Sequence, residues 1–257
     1  MNTTFYKYQG TGNDFILIDN RDNSFNNQNT KQIERLCDRK FGIGADGLIL
    51  LENSNKHDFK MVYFNADGNE GTMCGNGGRC IVAFAKHLKI ITTKTTFEAI
   101  DGLHYATIEN NLVNLQMIDV DFILEAESHL FLNTGSPHHI NFEKNVANLD
   151  VKKLGKAIRY GNPYNEEGTN VNFAEQLNEN TFKVRTYERG VEDETLSCGT
   201  GVTAVAIAAF QANKTTKNNI VLQTLGGTLE VSFEKDDTQY KKVFLKGAAT
   251  LVFKGIV

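Results

Sequence analysis

The chain has 257 residues, 40% of them apolar, enough to bury roughly 70–75% of its unfolded surface as one large domain or two of about 120–130 residues. A net charge of −4 excludes a strongly basic nucleic-acid binder, and two prolines exclude collagen-like and proline-rich classes. The start from Met1 to Tyr8 has no apolar export core, and the most apolar run, residues 202–210, is too short for a bilayer. The expectation is therefore a cytoplasmic protein without membrane or nucleic-acid partners. Its four cysteines, Cys37, Cys74, Cys80 and Cys198, are then buried, metal-bound or catalytic rather than a disulfide framework.

In chain order, 5–8 and 15–19 read as strands and 30–40 as a helix with Thr30 as its cap candidate. Residues 48–51 and 60–65 read as strands. Residues 76–88 carry a helical apolar period through Cys80, Ile81, Val82, Phe84, Ala85 and Leu88, whereas 202–212 is apolar almost all round, as a buried helix is. Strands are predicted again at 220–224, 228–233, 242–246 and 249–253.

The organising feature is a repeat at half the chain length. Thr11-Gly12-Asn13 returns as Thr134-Gly135-Ser136, an offset of 123, and Gly44-Ala45-Asp46 as Gly168-Thr169-Asn170, an offset of 124. Phe64-Asn65 returns as Tyr187-Glu188, and Cys74-Gly75-Asn76-Gly77 as Cys198-Gly199-Thr200-Gly201, with a one-residue insertion placed within 191–195. Four matches in one order predict an α/β fold of the α+β type. It has two pseudo-symmetric lobes, each a curved mixed sheet around a central buried helix, with the active site in the cleft between them.

Gly42-Ile43-Gly44-Ala45-Asp46-Gly47 satisfies a dinucleotide fingerprint in letters. That site needs a strand before it and a helix after it, and here the order is reversed, so the nucleotide reading is rejected. Cys74 and Cys80 lie six apart without a CxxC or a histidine partner outside their own helix, so no metal is expected. Cys37 and Cys80 fall on apolar helix faces as core residues.

Cys74 and Cys198 differ from these, since both precede Gly-x-Gly and open a buried helix. A helix N-terminus has unpaired N–H groups and positive dipole character, so it binds anions and acidifies a thiol. Bringing a thiol from about 8.5 to about 7 needs roughly 2 kcal/mol, which a partly buried helix end can supply. Two equivalent thiols suit proton removal from one face of a carbon and delivery to the other, α to a carboxylate. Asn13, Asn65, Asn170, Glu188 and Arg189 lie in the repeated turns as binders of an amino-acid substrate, with Arg189 suited to a second carboxylate and Glu188 to an ammonium. His138 is placed to tune a thiol or relay a proton, and His139 is read as structural.

The segments Gly10 to Phe15, Phe64 to Gly68, Cys74 to Arg79, Tyr187 to Gly190 and Cys198 to Gly201 resemble diaminopimelate epimerase, and the likeness runs from Phe5 to the C-terminus. The resemblance implies a cofactor-independent two-base epimerase interconverting LL- and meso-diaminopimelate, in lysine and peptidoglycan synthesis. By position it implies Cys74 and Cys198 as the bases and Gly75, Asn76, Gly199 and Thr200 as holders of the reacting carboxylate. Asn13, Asn65, Asn170, Glu188 and Arg189 would bind the rest of the substrate, and His138 and Glu188 would modulate the thiols. It also implies lobes at 1–117 with 248–257 and at 118–247, the last strand returning to the first lobe, with a homodimer left open. Two positions depart from the family: an asparagine is Ser136 here and a glutamine is Gly47, so their substrate contacts stand apart from the rest. The rival readings are a proline or hydroxyproline racemase of related fold, and a catalytically silent binding protein.

Overall fold

The computed structural model describes residues 3–257; Met1 and Asn2, the start of the expected first lobe, lie outside them. By its contacts the chain divides into two compact units, one of residues 1–115 and 247–257 and one of residues 116–246.

The first unit begins with β1 (Thr4–Gly10) and β2 (Asn13–Asp19), an antiparallel hairpin. α1 (Thr30–Cys37) follows, then β3 (Gly47–Glu52), parallel to β2, and β4 (Phe59–Asn65), antiparallel to β3. α2 (Gly75–His87) carries the chain over to β5 (Lys94–Ala99), parallel to β4. β6 (Gly102–Glu109) and β7 (Leu112–Gln116) complete an antiparallel meander.

β2 and β3 read as continuous apolar runs because helices cover both their faces. Ile16, Ile18, Leu48 and Leu50 join Ile33, Leu36 and Cys37 of α1 in one cluster. On the opposite face, Phe15, Ile49 and Met61 lie within 3.6 Å of where a side chain on Gly77 of α2 would begin. Residues Gly75 to Ala85 of α2 are all buried, so this helix is the unit's centre.

The structure moves the boundaries expected for α1. Its N-cap is Asn29, whose Oδ1 accepts from the Gln32 N–H at 3.2 Å, and Thr30 is already helical. The helix stops at Cys37 rather than residue 40, because the Asp38 carboxylate accepts from the N–H groups of Lys40 and Phe41 at 2.7 Å in a turn that competes with helix.

The second unit repeats this plan. β8 (Ile123–Glu125), β9 (Leu130–Asn133) and β10 (Pro137–Phe142) are antiparallel neighbours. After α3 (Val151–Tyr160), β11 (Asn170–Gln176) runs parallel to β10 and β12 (Thr181–Glu188) antiparallel to β11. A short β13 (Asp193–Thr195) folds back on β12. α4 (Gly199–Gln211) leads to β14 (Asn219–Thr224), parallel to β12, and then to β15 (Gly227–Asp236) and β16 (Gln239–Ala248) in an antiparallel meander. The last strand, β17 (Thr250–Ile256), pairs antiparallel with β1 and takes in the first unit the edge place that β8 takes in the second.

Both units are thus mixed sheets with one order of strand directions and one buried helix, α2 or α4, entered directly from a cysteine. α4 needs no polar stripe, since nearly every residue from Gly199 to Ala209 is buried.

Candidate active site

In the first unit, Cys74 is the N-cap of α2 and sits in extended backbone, with its sulfur not spent on a capping bond. Its thiol donates to Asn13 Oδ1 at 3.6 Å. The same oxygen accepts from Asn76 Nδ2 at 3.2 Å, and Asn13 Nδ2 donates to the Asp46 carboxylate at 2.6 Å. Asn76 is almost wholly buried, and its Oδ1 accepts from the Arg79 guanidinium at 3.0 Å.

Arg79 itself is 0% exposed. It also donates to Thr11 Oγ1 at 3.0 Å and to the Gly75 carbonyl at 3.4 Å, tying the β1–β2 turn to the start of α2. Gly10 leaves room for this, since a Cβ there would stand 3.2 Å from the Arg79 Nη2. Burial pulls the Arg79 pKa down from its ordinary value. Burial also pushes the Cys80 and Cys37 thiols up to about 12, as expected of inert core cysteines.

Asp14, next to Asn13, pairs with buried Lys7 and with Arg39, both at 2.7 Å. Burial alone would raise its carboxyl, but hydrogen bonds from Arg39 and Lys7 outweigh that and bring it to about 2. Lys7 also donates to the Gly44 carbonyl. This ion network pins the loop of residues 38–46 beside the turn bearing Asn13. Gly42-Ile43-Gly44-Ala45-Asp46-Gly47 therefore lies between α1 and β3, an order opposite to that of a dinucleotide site.

Asn65 ends β4 directly opposite Gly47 and is exposed. Gly47 is glycine for a steric reason: a Cβ there would fall 2.5 Å from the Phe64 carbonyl oxygen and 2.6 Å from the Tyr63 ring. The departure at this position thus leaves backbone alone, with Tyr63 filling the adjacent space.

In the second unit, Cys198 is the N-cap of α4, again in extended backbone and without a capping bond from its sulfur. Its Sγ lies 3.4 Å from Thr200 Oγ1, which in turn lies 2.9 Å from His138 Nε2. His138 is 0% exposed, and burial, followed by the nearby charge of Arg189, lowers it to about 3. It is therefore a neutral imidazole near pH 7. Its Nδ1 lies 3.0 Å from Asn172 Nδ2. Asn172 Oδ1 accepts from Thr186 Oγ1 at 2.9 Å and occupies the space that a side chain on Gly201 would need.

The other expected residues sit in or near this turn system. Asn170 is buried, donates to the Pro137 carbonyl at 3.0 Å and accepts the Arg189 N–H at 2.9 Å, so its amide is engaged within the protein. Glu188 ends β12, and its carbonyl accepts from Glu192 N–H at 2.8 Å across the turn. Arg189 is exposed and donates to the Glu167 carbonyl at 3.0 Å. Ser136 is half-buried, and its carbonyl accepts from Thr134 N–H. Buried Gly75 and Gly199 open the two helices. His139 stacks on His129 at 4.1 Å, and burial followed by the His129 charge lowers it to about 4, consistent with a structural role.

Within the first unit, Asn13, Cys74, Gly75 and Asn76 come together. Within the second, His138, Cys198, Gly199 and Thr200 do, with Asn170 next to Arg189. The sequence reading missed Arg79, Asp46 and Asn172. Arg79 and Asp46 lay inside quoted motifs, and Asn172 is two residues past Asn170 on the same face of β11. Among the described residues, no three His, Cys, Asp or Glu side chains cluster to hold a metal, and no helix is long and apolar enough to cross a membrane.

The family model for diaminopimelate epimerase matches residues 5–120 and 130–252. A diaminopimelate epimerase of Flavobacterium psychrophilum is 60% identical over 250 residues, covering 97% of this chain and 98% of that protein. One of Aquifex aeolicus is 40% identical over 271 residues, covering 98% and 96%. Among solved structures, a phenazine biosynthesis protein of the PhzF family from Bacillus anthracis superposes with a TM-score of 0.80 at 13% identity, covering 100% of this chain and 99% of that one. A hydroxyproline epimerase from Agrobacterium vitis with bound trans-4-hydroxy-L-proline gives 0.69 at 13%, covering 100% and 92%. These structural likenesses bear on the fold.

Proposed function

The chain belongs to the diaminopimelate epimerase family, and on that premise we propose that it is a cofactor-independent isomerase that interconverts LL- and meso-diaminopimelate. The observation that carries this reading is the doubled arrangement of a cysteine, a Gly-x-Gly and a buried helix, once in each unit. One thiolate takes the Cα proton. The electron pair left on carbon spreads into the adjacent carboxylate, and the other thiol gives its proton to the opposite face. One proton leaves the carbon and one arrives, with no change of oxidation state. The first-turn N–H groups of α2 and α4 are suited to hold the carboxylate as charge builds on it.

Asn13, Asn65, Asn76, Asn170 and Thr200 supply the polar contacts of this reading, and Glu188 and Arg189 suit a second ammonium and carboxylate. His138 tunes Cys198 through Thr200, with Glu188 assigned a like effect. Gly47 and Ser136 contribute backbone or short-range contacts. The lobes in this reading are 1–117 with 248–257, and 118–247. The setting is cytoplasmic, the partner is the small-molecule substrate, and lysine and peptidoglycan synthesis is the use.

The test is exchange in D₂O under reducing conditions, followed by proton NMR. Loss of the Cα–H signal with LL-diaminopimelate, together with appearance of the meso form and no exchange with L-proline, is the expected result. Exchange with L-proline alone would transfer the assignment to the proline racemases, and exchange with neither would end the reading.

A further inference from the structure

The two cysteines occupy like positions but face hydrogen-bond partners of opposite polarity. In the first unit the polarity is fixed from both ends. Arg79 can only donate, so Asn76 must turn Oδ1 toward it and Nδ2 toward Asn13. The Asp46 carboxylate can only accept, so Asn13 must turn Nδ2 toward it. Both constraints leave Asn13 Oδ1, an acceptor, facing Cys74 Sγ at 3.6 Å. An acceptor there favours S–H over S⁻.

In the second unit the end stop is the His139 carbonyl, which can only accept and takes Asn172 Nδ2 at 3.2 Å. That amide nitrogen also faces His138 Nδ1, so Nδ1 must accept and the neutral ring carries its hydrogen on Nε2. Nε2–H donates to Thr200 Oγ1, which leaves the hydroxyl hydrogen of Thr200 for Cys198 Sγ. A donor there favours S⁻.

We propose that in the resting protein the proton sits on Cys74 and the negative charge on Cys198, and that Asn172 is the positioning residue that sets this by fixing the tautomer of His138. The inference rests on the epimerase reading for its use but not for its test. A substrate presenting Cα–H to Cys198 is then attacked at once. The proton passes to the Cys198 sulfur, Cys74 gives up its own to the opposite face, and the pair ends with its charges exchanged. The other isomer must wait for that exchange.

Other charged and titratable groups also act on the pair, Glu188 at the end of β12 among them. Arg79 favours an anion at Cys74, but its N–H groups point to Thr11, Gly75 and Asn76. Cys80 on the same helix stays protonated, with Tyr8 of β1 beside it. Asp14 of β2 is held by Lys7 and Arg39. Arg189 supplies a cation beside His138.

The experiment is single-hit alkylation by iodoacetamide across pH 6–10, with the modified cysteine identified by mass spectrometry. Accessibility scales the rate but not the inflection, so the inflection is read. Cys198 is expected to titrate about one pH unit or more below Cys74. Asn172→Asp should reverse the polarity at His138 and raise the Cys198 inflection while leaving that of Cys74 in place. Thr200→Val should raise it as well, and Thr200→Ser should keep it low. These two need no change in the strand should Asn172→Asp fail to fold. Cys74 titrating at or below Cys198 in the unaltered protein, or Thr200→Val leaving Cys198 unmoved, overturns the proposal. Neither outcome depends on which amino acid is the substrate.

Discussion

Filling the gap at residue 47 should harm the protein rather than complete its site. An alanine Cβ at Gly47 would meet the Phe64 carbonyl oxygen at 2.5 Å and the Tyr63 ring at 2.6 Å, closer than real Cβ atoms come to their neighbours. The ring can rotate away, but the carbonyl belongs to β4, whose register places Gly47 opposite Asn65. Overpacking of this kind costs about 1–3 kcal/mol, and the rigid backbone contact puts Gly47→Ala toward the upper figure. Removing a strand glycine returns only about 0.5–1 kcal/mol. The net loss of about 2–2.5 kcal/mol should lower the urea midpoint by roughly 1 M. Gly47→Gln should lose at least as much and gain no substrate affinity. Adding Tyr63→Ala should recover only part of the loss, because the carbonyl remains. A Gly47→Gln protein at least as stable as the parent, with a lower KM for diaminopimelate, would refute both the steric argument and the role given to Tyr63.

The Asp14 carboxyl is brought from the ordinary 3.8 to about 2, so its contribution to stability is complete above about pH 4 and is lost as pH falls through about 2. After discounting for screening, the stabilisation is about 1–2 kcal/mol. Asp14→Asn should therefore melt below the parent at pH 7, and the gap should close on acidification; a gap independent of pH would count against the ion network. Gly168 has φ +63°, and a Cβ there would run into the guanidinium of Arg159, which bonds Glu192. Gly168→Ala should cost about 1–3 kcal/mol, read as a fall in melting temperature of roughly 2–10 °C. Asn29→Ala should cost about 1 kcal/mol in urea denaturation, whereas Thr30→Ala, which removes no cap, should cost less. Cys74→Ser and Cys198→Ser should each lower epimerisation by about 10²–10⁴-fold in the NMR assay with little change in melting temperature.

The doubled plan of the fold was legible because repeated motifs fall at tight turns, where spacing is rigid and residue choice narrow. The two buried helices were legible because α2 carries a regular apolar period and α4 is apolar on nearly every side. α3 escaped notice, although Asp150 caps it and Val151, Gly155 and Ile158 give it a helical face, since Lys152, Lys153, Lys156 and Arg159 interrupt that face and Leu154 lies exposed. The strands from 94 to 195 were left unread, and for short, half-exposed ones such as β8 the reason is that they carry little alternation. At the site, residue types at turns could be read and their orientations could not. That Asn170 spends its amide on Pro137 and Arg189, or that Asn172 addresses His138, depends on which neighbours β10 and β12 bring alongside β11. Such neighbours are distant in sequence. Arg79 shows the same limit, because nothing local says that a charged residue will be wholly enclosed.

The pairing of β17 with β1 has a bearing on biosynthesis. Thr3 and Val257 exchange backbone hydrogen bonds at the margin of the first unit. That unit is therefore left with a bare sheet edge until β17 has been made and has paired. The second unit is continuous in sequence and has all its strands before β17, so it can mature sooner, and a nascent chain arrested before β17 would present β1 as an open edge.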